Sequence, residues 1–368
     1  MRSVEDARPC PGLSVPAVTV LDDAGGLVDD QQRALVRYLL QEGDGADVIF
    51  AAGTTGEWDR LENPVRQQVV QVCVEEVSKA NAALELGSTR PVECWAGVTA
   101  HSAGETLENL DFAMQQGADA AVLAPLSIPG VEDPVRFLRR DVADLLDARR
   151  RRIPVYLYDN ADIAVDPGVP HMRTRQVKAM SRLDFVRGIK VTAPRRVLGH
   201  YTQAAAGFRE RGEFGIYVGS AMLIFDLFRP REGLLGSVGE HWNRWRLRGG
   251  LPTGVVAGPA NVLPREWARA WQACRAGDAE RMAQFREVLG AFRDQIRAAG
   301  ASGSIACFKR ALCALGVIES DAVAPGSGLL GDEAAKRFDD AFAALWESAR
   351  QRLGEPFVSR PELGGWRS

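Results

Sequence analysis

The chain has 368 residues, 46% of them apolar and 25% charged, with a formal net charge of -3. That profile fits an ordinary soluble protein able to bury a large core, as a single α/β barrel with extensions or as two domains. Charges of both signs are interspersed, which removes the electrostatic case for nucleic acid or an anionic membrane surface, and no run approaches the ~18 apolar residues of a bilayer span.

The opening residues, Met1 to Asp6, contain no apolar segment of signal-peptide length. Six cysteines (Cys10, Cys73, Cys94, Cys274, Cys307 and Cys313) are scattered without a CxxC pair. They read as reduced thiols of a cytoplasmic protein rather than as zinc ligands.

Apolar runs of strand length occur eight times. They are Leu13–Leu21, Ala46–Ala52, Val92–Val98, Ala120–Ala124, Ile153–Tyr158, Phe185–Val191, Phe214–Val218 and Gly254–Ala257. Amphipathic stretches such as Asp30–Gln41, Pro64–Ala80, Ala103–Gly117 and Pro134–Asp147 lie between them. Continuous apolar strands alternating with helices predict a parallel sheet covered by helices, and eight units point to a closed (β/α)8 barrel. Local signals agree: Asn63-Pro64 and Asp133-Pro134 read as N-caps followed by proline, and Ser102 with Glu105 as a capping box. Arg149 to Arg152 form the single basic block, read as a solvated helix C-terminus.

The predicted organisation is an N-terminal tail over residues 1–12, a barrel over 13–263, C-terminal helices over 264–354 and a tail over 355–368. Helical segments are predicted at Pro264–Gly277, Ala279–Ala299, Ser304–Leu315 and Asp332–Gln351. The polar end, with Pro361 and Gly364-Gly365, is expected to be poorly ordered. An irregular stretch near residues 229–250, carrying Trp242 and Trp245 among arginines, suits either a lid or an oligomer contact.

Three segments carry the chemistry. The second strand runs into Gly53-Thr54-Thr55-Gly56-Glu57, whose glycines permit a tight turn and whose N–H and hydroxyl groups suit a carboxylate. The same segment also reads as a plain βα turn; it is too short for a P-loop. The fifth strand ends in Tyr156-Leu157-Tyr158-Asp159-Asn160, where alternation puts Tyr156 and Tyr158 on one side. The sixth ends in Gly188-Ile189-Lys190-Val191. With 5 lysines against 40 arginines, a lysine at the tip of a core strand asks for a reason. Burial would favour its neutral, nucleophilic amine; snorkelling or pairing with an acid is the alternative. Adjacent strands place Tyr158 and Lys190 side by side, with Tyr158 as a proton carrier.

Taken in order, Gly53-Thr54-Thr55-Gly56-Glu57, Tyr158, Gly188-Ile189-Lys190 and Gly254 to Asn261 with Pro264 resemble the dihydrodipicolinate synthase/N-acetylneuraminate lyase family. Pro16-Ala17-Val18-Thr19, Ala96-Gly97-Val98 and Gly117 to Ala120 are similar to that family as well. The resemblance runs from about Leu13 to about Leu315. It implies a barrel with C-terminal helices, a homo-oligomer (tetramer or dimer), and an imine between a lysine and pyruvate or another 2-oxo acid. By the same resemblance Lys190 forms the imine, Tyr158 moves protons, Thr54 relays them and Thr55 holds the substrate carboxylate. The imine withdraws electrons itself, so no metal or organic cofactor is implied.

Departures narrow the substrate. Pro125 is followed by Leu126-Ser127 where the synthases carry a tyrosine pair, and Ile163 stands where they carry a carboxylate-gripping arginine. Trp58, after the Gly-Thr-Thr-Gly-Glu motif, is bulkier than the family's small residue and would reshape the entrance. Thr192 is either a hydroxyl donor to a polyol or a β-branched strand residue, and Asp159-Asn160 either bind hydroxyls or form a turn. His101 reads as a loop or capping residue, and Arg195 and Arg196 as solvated helix-start charges. The candidate substrate-binding set is Gly53, Thr55, Ser127, Asn160, Thr192 and Val256. The expected activity is retro-aldol cleavage or dehydration of a 2-keto-3-deoxy sugar acid. A pyruvate-condensing synthase and a catalytically weak binding protein are the alternatives.

Overall fold

A computed structural model describes residues 8–84, 90–149, 152–195, 197–198, 201, 213–228, 252–300 and 303–365. The strands are β1 (Gly12–Pro16), β2 (Val48–Ala51), β3 (Glu93–Gly97), β4 (Ala120–Leu123), β5 (Val155–Asn160), β6 (Val186–Thr192), β7 (Gly215–Val218) and β8 (Gly254–Val256). They pair in sequence order into the closed parallel barrel that the alternation predicts. Their side chains are almost all buried on both faces, as helix-covered parallel strands require.

The helices used below are α1 (Asp29–Leu40), α2 (Asn63–Leu84), α3 (Ala103–Gln116), α4 (Pro134–Phe137), α5 (Ala143–Ala148) and α6 (Thr174–Met180). A π-helical turn, Leu138–Val142, separates α4 from α5 where the sequence reads as one helix. Caps differ in detail. Ser102 accepts from Glu105 N–H, and Asp133 from the N–H groups of Val135 and Arg136. Asn63, expected as a cap, is instead the first residue of α2, and its Oδ1 has no hydrogen-bond partner. Arg149 closes α5 and pairs with Asp111, and Arg152 pairs with Asp147 and Asp184, so both described residues of the basic block are neutralised locally. Among the described residues no helix is long and apolar enough to cross a membrane.

The chain divides into two compact units. The first comprises Met1–Gly12 and Trp95–Val256. Its core contains a plug of rings: Trp95 stacks on Tyr156 at 4.2 Å between centroids, and Tyr217 meets both edge-on. The Tyr217 hydroxyl donates to Cys10 O, which ties the N-terminal residues to this plug.

The second unit comprises Leu13–Cys94 and Ala257–Ser368. Here β1 is shorter than the apolar run that predicts it. Beyond Pro16 the backbone turns to side chains, with Val18 N–H donating to Asn261 Oδ1 and Val20 N–H to Gln32 Oε1. The C-terminal helices are α8 (Pro264–Ala276), α9 (Ala279–Ala299), α10 (Ser304–Ala314) and α11 (Asp332–Leu353), following α7 (Ile224–Leu227) of the first unit. The described residues up to Gly365 are not loose as the composition there suggested. Ser359 N–H donates to Glu266, Arg360 N–H to Gln41, and Arg37 to Gly364 O, within a short helical turn at Pro361–Gly364. Burial pushes the Glu266 carboxyl up to about 7, with the Ser359 bonds working against that shift. The 229–250 stretch lies outside the described residues.

Candidate active site

In the first unit, β5 and β6 run parallel with Tyr156 opposite Gly188, Tyr158 opposite Lys190, and Asn160 opposite Thr192. These six alternate residues share one face. The lowest pair explains the glycine before the lysine. A Cβ at Gly188 would fall 2.6 Å from Gly215 O and 2.7 Å from the Tyr156 ring, so only glycine fits against the plug.

One step further along the strands lie Tyr158 and Lys190. Lys190 Nζ sits 3.8 Å from the centroid of the Tyr158 ring, and both side chains are buried. Burial lowers the Lys190 pKa; the charge and hydrogen bond of Tyr158 oppose this. The neutral amine is thereby made more accessible than on a solvated lysine, which is the condition for attack on a carbonyl. Snorkelling to solvent does not occur here.

At the strand ends, Tyr158 is held by two side chains. Asn160 Nδ2 donates to the phenolic oxygen at 3.2 Å, and Thr192 Oγ1 lies 3.4 Å from it. Thr192 depends in turn on Gly219, where a Cβ would collide with the Thr192 hydroxyl.

Asp159 faces the other way. Its carboxylate is fully buried and accepts from Met172 N–H at 2.7 Å, from His171 Nδ1 at 2.8 Å and from the Tyr201 hydroxyl. It anchors the end of β5 rather than lining the Tyr158 side. Alternation along the strand could have separated Asp159 from Asn160; nothing local pointed to His171 or Tyr201. Ser127 is buried in the short turn Pro125–Ser127, with its N–H bonded to Ala124 O. Val256 is a buried residue at the end of β8. Ile163 closes the turn that follows β5, and Arg195 is exposed as a helix-start charge would be. Arg196 falls outside the described side chains.

In the second unit, Thr54–Gly56 form one 3-10 turn after β2. The left-handed positions are not the glycines but Ala52 (φ 52°) and Glu57 (φ 61°). Gly53 and Gly56 are glycines for space: added Cβ atoms would come within 2.8 Å of the Phe50 ring and 2.9 Å of Ala17 O. Thr55 Oγ1 lies close to Gly258. Strain at Glu57, on the order of 1 kcal/mol for a non-glycine residue, is held by its side chain. That carboxylate is fully buried and accepts from Lys309 Nζ at 2.7 Å, Ala324 N–H at 2.9 Å and Ser327 Oγ at 2.5 Å. Glu57 is therefore an anchor of the turn, and its partner Lys309 carried no signal in the sequence. Trp58 is buried as well, with the Arg66 guanidinium 5.5 Å from its ring, so its bulk is absorbed by packing. Among the described residues, no three His, Cys, Asp or Glu side chains gather as a metal ion would require.

Comparison with known proteins agrees with the fold. Residues 10–125 match the model of the dihydrodipicolinate synthetase family. Tyr158 and Lys190 lie beyond that match. The chain is similar to the 4-hydroxy-tetrahydrodipicolinate synthase of Syntrophotalea carbinolica, at 25% identity over 55% of this chain and 60% of that one. It resembles its counterpart from Stutzerimonas stutzeri at 27% identity, over 76% and 80% of the two chains. A 2-dehydro-3-deoxy-D-gluconate/2-dehydro-3-deoxy-phosphogluconate aldolase of Thermoproteus tenax is 28% identical over 71% of this chain and 69% of that one. Among solved structures, YagE of E. coli K12, a prophage protein of the dihydrodipicolinic acid synthase family in complex with pyruvate, superposes with a TM-score of 0.71. It is 21% identical and covers 91% of this chain and 98% of that one.

Proposed function

We propose that this chain, a member of the dihydrodipicolinate synthetase family, is a Schiff-base lyase that cleaves or dehydrates a 2-oxo acid of the 2-keto-3-deoxy sugar acid kind. The observation that carries the reading is Lys190, buried beside Tyr158 with its pKa lowered by burial. The neutral amine adds to the C2 carbonyl carbon. The resulting carbinolamine takes a proton, loses water and becomes an iminium. That cation draws electrons from C3. Removal of the C4 hydroxyl proton then breaks C3–C4 and leaves an enamine. In the dehydrating variant, loss of a C3 proton gives an enamine that expels the C4 hydroxyl. Tyr158 carries these protons. Thr54 is assigned as relay and Thr55 as carboxylate ligand, on the motif they share with the family. Because the imine withdraws the electrons, the chemistry calls for no metal or organic cofactor.

Cleavage or dehydration is preferred over lysine-type condensation because Leu126-Ser127 and Ile163 replace the synthases' tyrosine pair and arginine. Condensation of pyruvate with an aldehyde is the second reading, favoured by the names of two of the relatives. Family likeness also leads us to propose a homo-oligomer. Borohydride reduction in the presence of pyruvate, then of a panel of 2-oxo acids, tests the central claim. The expected result is a stable adduct on Lys190, read by intact mass and peptide mapping. A protein that is never labelled at Lys190 by any 2-oxo acid is not this enzyme.

A further inference from the structure

Asn160 sits where a substrate ligand was expected, but both ends of its amide are engaged within the protein. Its Oδ1 accepts from Asp162 N–H at 3.2 Å, capping the turn Ala161–Ile163. A backbone N–H can only donate, so this bond fixes which end of the amide is oxygen. The Nδ2 end then faces the Tyr158 hydroxyl at 3.2 Å, and an amide nitrogen can only donate. The phenolic oxygen is therefore an acceptor on that side. Its single hydrogen is left for the other directions, one of which holds Thr192 Oγ1, while Lys190 Nζ lies over the face of the ring. Asp159 secures the arrangement from the opposite face of the strand, through His171, Met172 and Tyr201.

We propose that Asn160 is a positioning residue that sets the hydrogen-bond polarity of Tyr158 and stabilises its phenolate while the proton is away. This rests on the imine chemistry proposed above for Lys190. The proton path balances. The phenol gives its proton to the carbinolamine hydroxyl, which departs as water and leaves a phenolate and an iminium. The phenolate then recovers a proton from C3, giving a neutral enamine and a restored phenol. Between those two steps the negative oxygen keeps a donor in Asn160 Nδ2, a charge-assisted bond stronger than the neutral one that precedes it.

The test has one arm that needs no substrate. Tyrosinate absorbance is followed against pH for the wild type, Asn160→Leu and Asn160→Asp, each referenced to the same protein carrying Tyr158→Phe. Asn160→Leu removes the donor. Asn160→Asp keeps the cap on Asp162 N–H but replaces the donor with an acceptor, so it also serves if the leucine variant does not fold. Both should move Tyr158 ionisation to higher pH, Asn160→Asp further. In the second arm, exchange of the pyruvate C3 hydrogens in D2O should slow by about tenfold or more, while borohydride labelling of Lys190 continues. Superimposable ionisation curves in wild type and variants overturn the inference. A wild type that neither labels nor exchanges overturns the imine reading instead, and the ionisation curves still decide the polarity of Tyr158.

Discussion

Two of the five lysines are buried, one in each unit, and they differ in what shares the burial. Lys309 is set against the Glu57 carboxylate at 2.7 Å and also donates to Ala322 O. Lys190 is set over the face of a phenol. Burial lowers both pKa values, but at Lys309 a full opposite charge works to restore the ammonium, whereas at Lys190 the charge and hydrogen bond of Tyr158 oppose the shift. The same residue type is thus an ion-paired group in one unit and, under the proposed mechanism, the nucleophile in the other. Burial by itself does not separate them; the chemistry of the nearest partner does.

The contrast is sharpest in Lys190→Met. Turnover should fall by more than about 10³-fold, because no other group supplies the imine. Stability should rise by about 1 kcal/mol as an ionisable group leaves an apolar site. Kinetics with a thermal melt read both, and a variant that is inactive and also less stable would contradict the assignment of Lys190 as a strained functional group. Next in size, Tyr158→Phe should lower turnover by about 10²–10⁴-fold while borohydride labelling of Lys190 persists. Full activity in that variant would remove Tyr158 from the proton path.

Lys309→Met should do the converse of Lys190→Met. It leaves the Glu57 carboxylate buried without its cation, at a cost of about 3–5 kcal/mol. Adding Glu57→Gln should recover much of that loss, and denaturant titration of the three proteins checks it. If the double variant is no better than the single one, the pair is not what holds the turn. The last effect, confined to a window of pH, concerns Glu266. Its folded carboxyl is raised from 4.5 to about 7, so the folded state holds a proton that the unfolded chain releases. Its contribution is present below pH 4.5 and lost as pH rises through about 7, a change on the order of 3 kcal/mol. Melting temperature against pH should therefore decline across that window, and Glu266→Gln should flatten the decline.

How much of this could be read beforehand follows from distance along the chain. All eight strands were legible because apolar runs report burial locally, and Tyr158 and Lys190 because adjacent parallel strands bring their ends together. Asp159 was not. Its donors lie 12, 13 and 42 residues away, and no periodicity announces such a cluster. Lys309 meets Glu57 across 252 residues, again without a local mark. The last described residues misled for a different reason. Polar composition there suggested a loose end, whereas Ser359 and Arg360 use their polarity to bond Glu266 and Gln41. The tight turn at Thr54-Thr55 was legible from its glycines, but what requires them, closeness to Phe50 and Ala17, was not.

The contact between Gly219 and Thr192 bears on how this scaffold can be redirected. Any side chain at 219 would occupy the place of the threonine hydroxyl, and that hydroxyl stands next to the phenol. Recoding one position alone would either crowd its neighbour or leave a gap beside it. A new specificity in this corner would have to arise by paired replacement, which makes 192 and 219 the two sites to randomise jointly in a library.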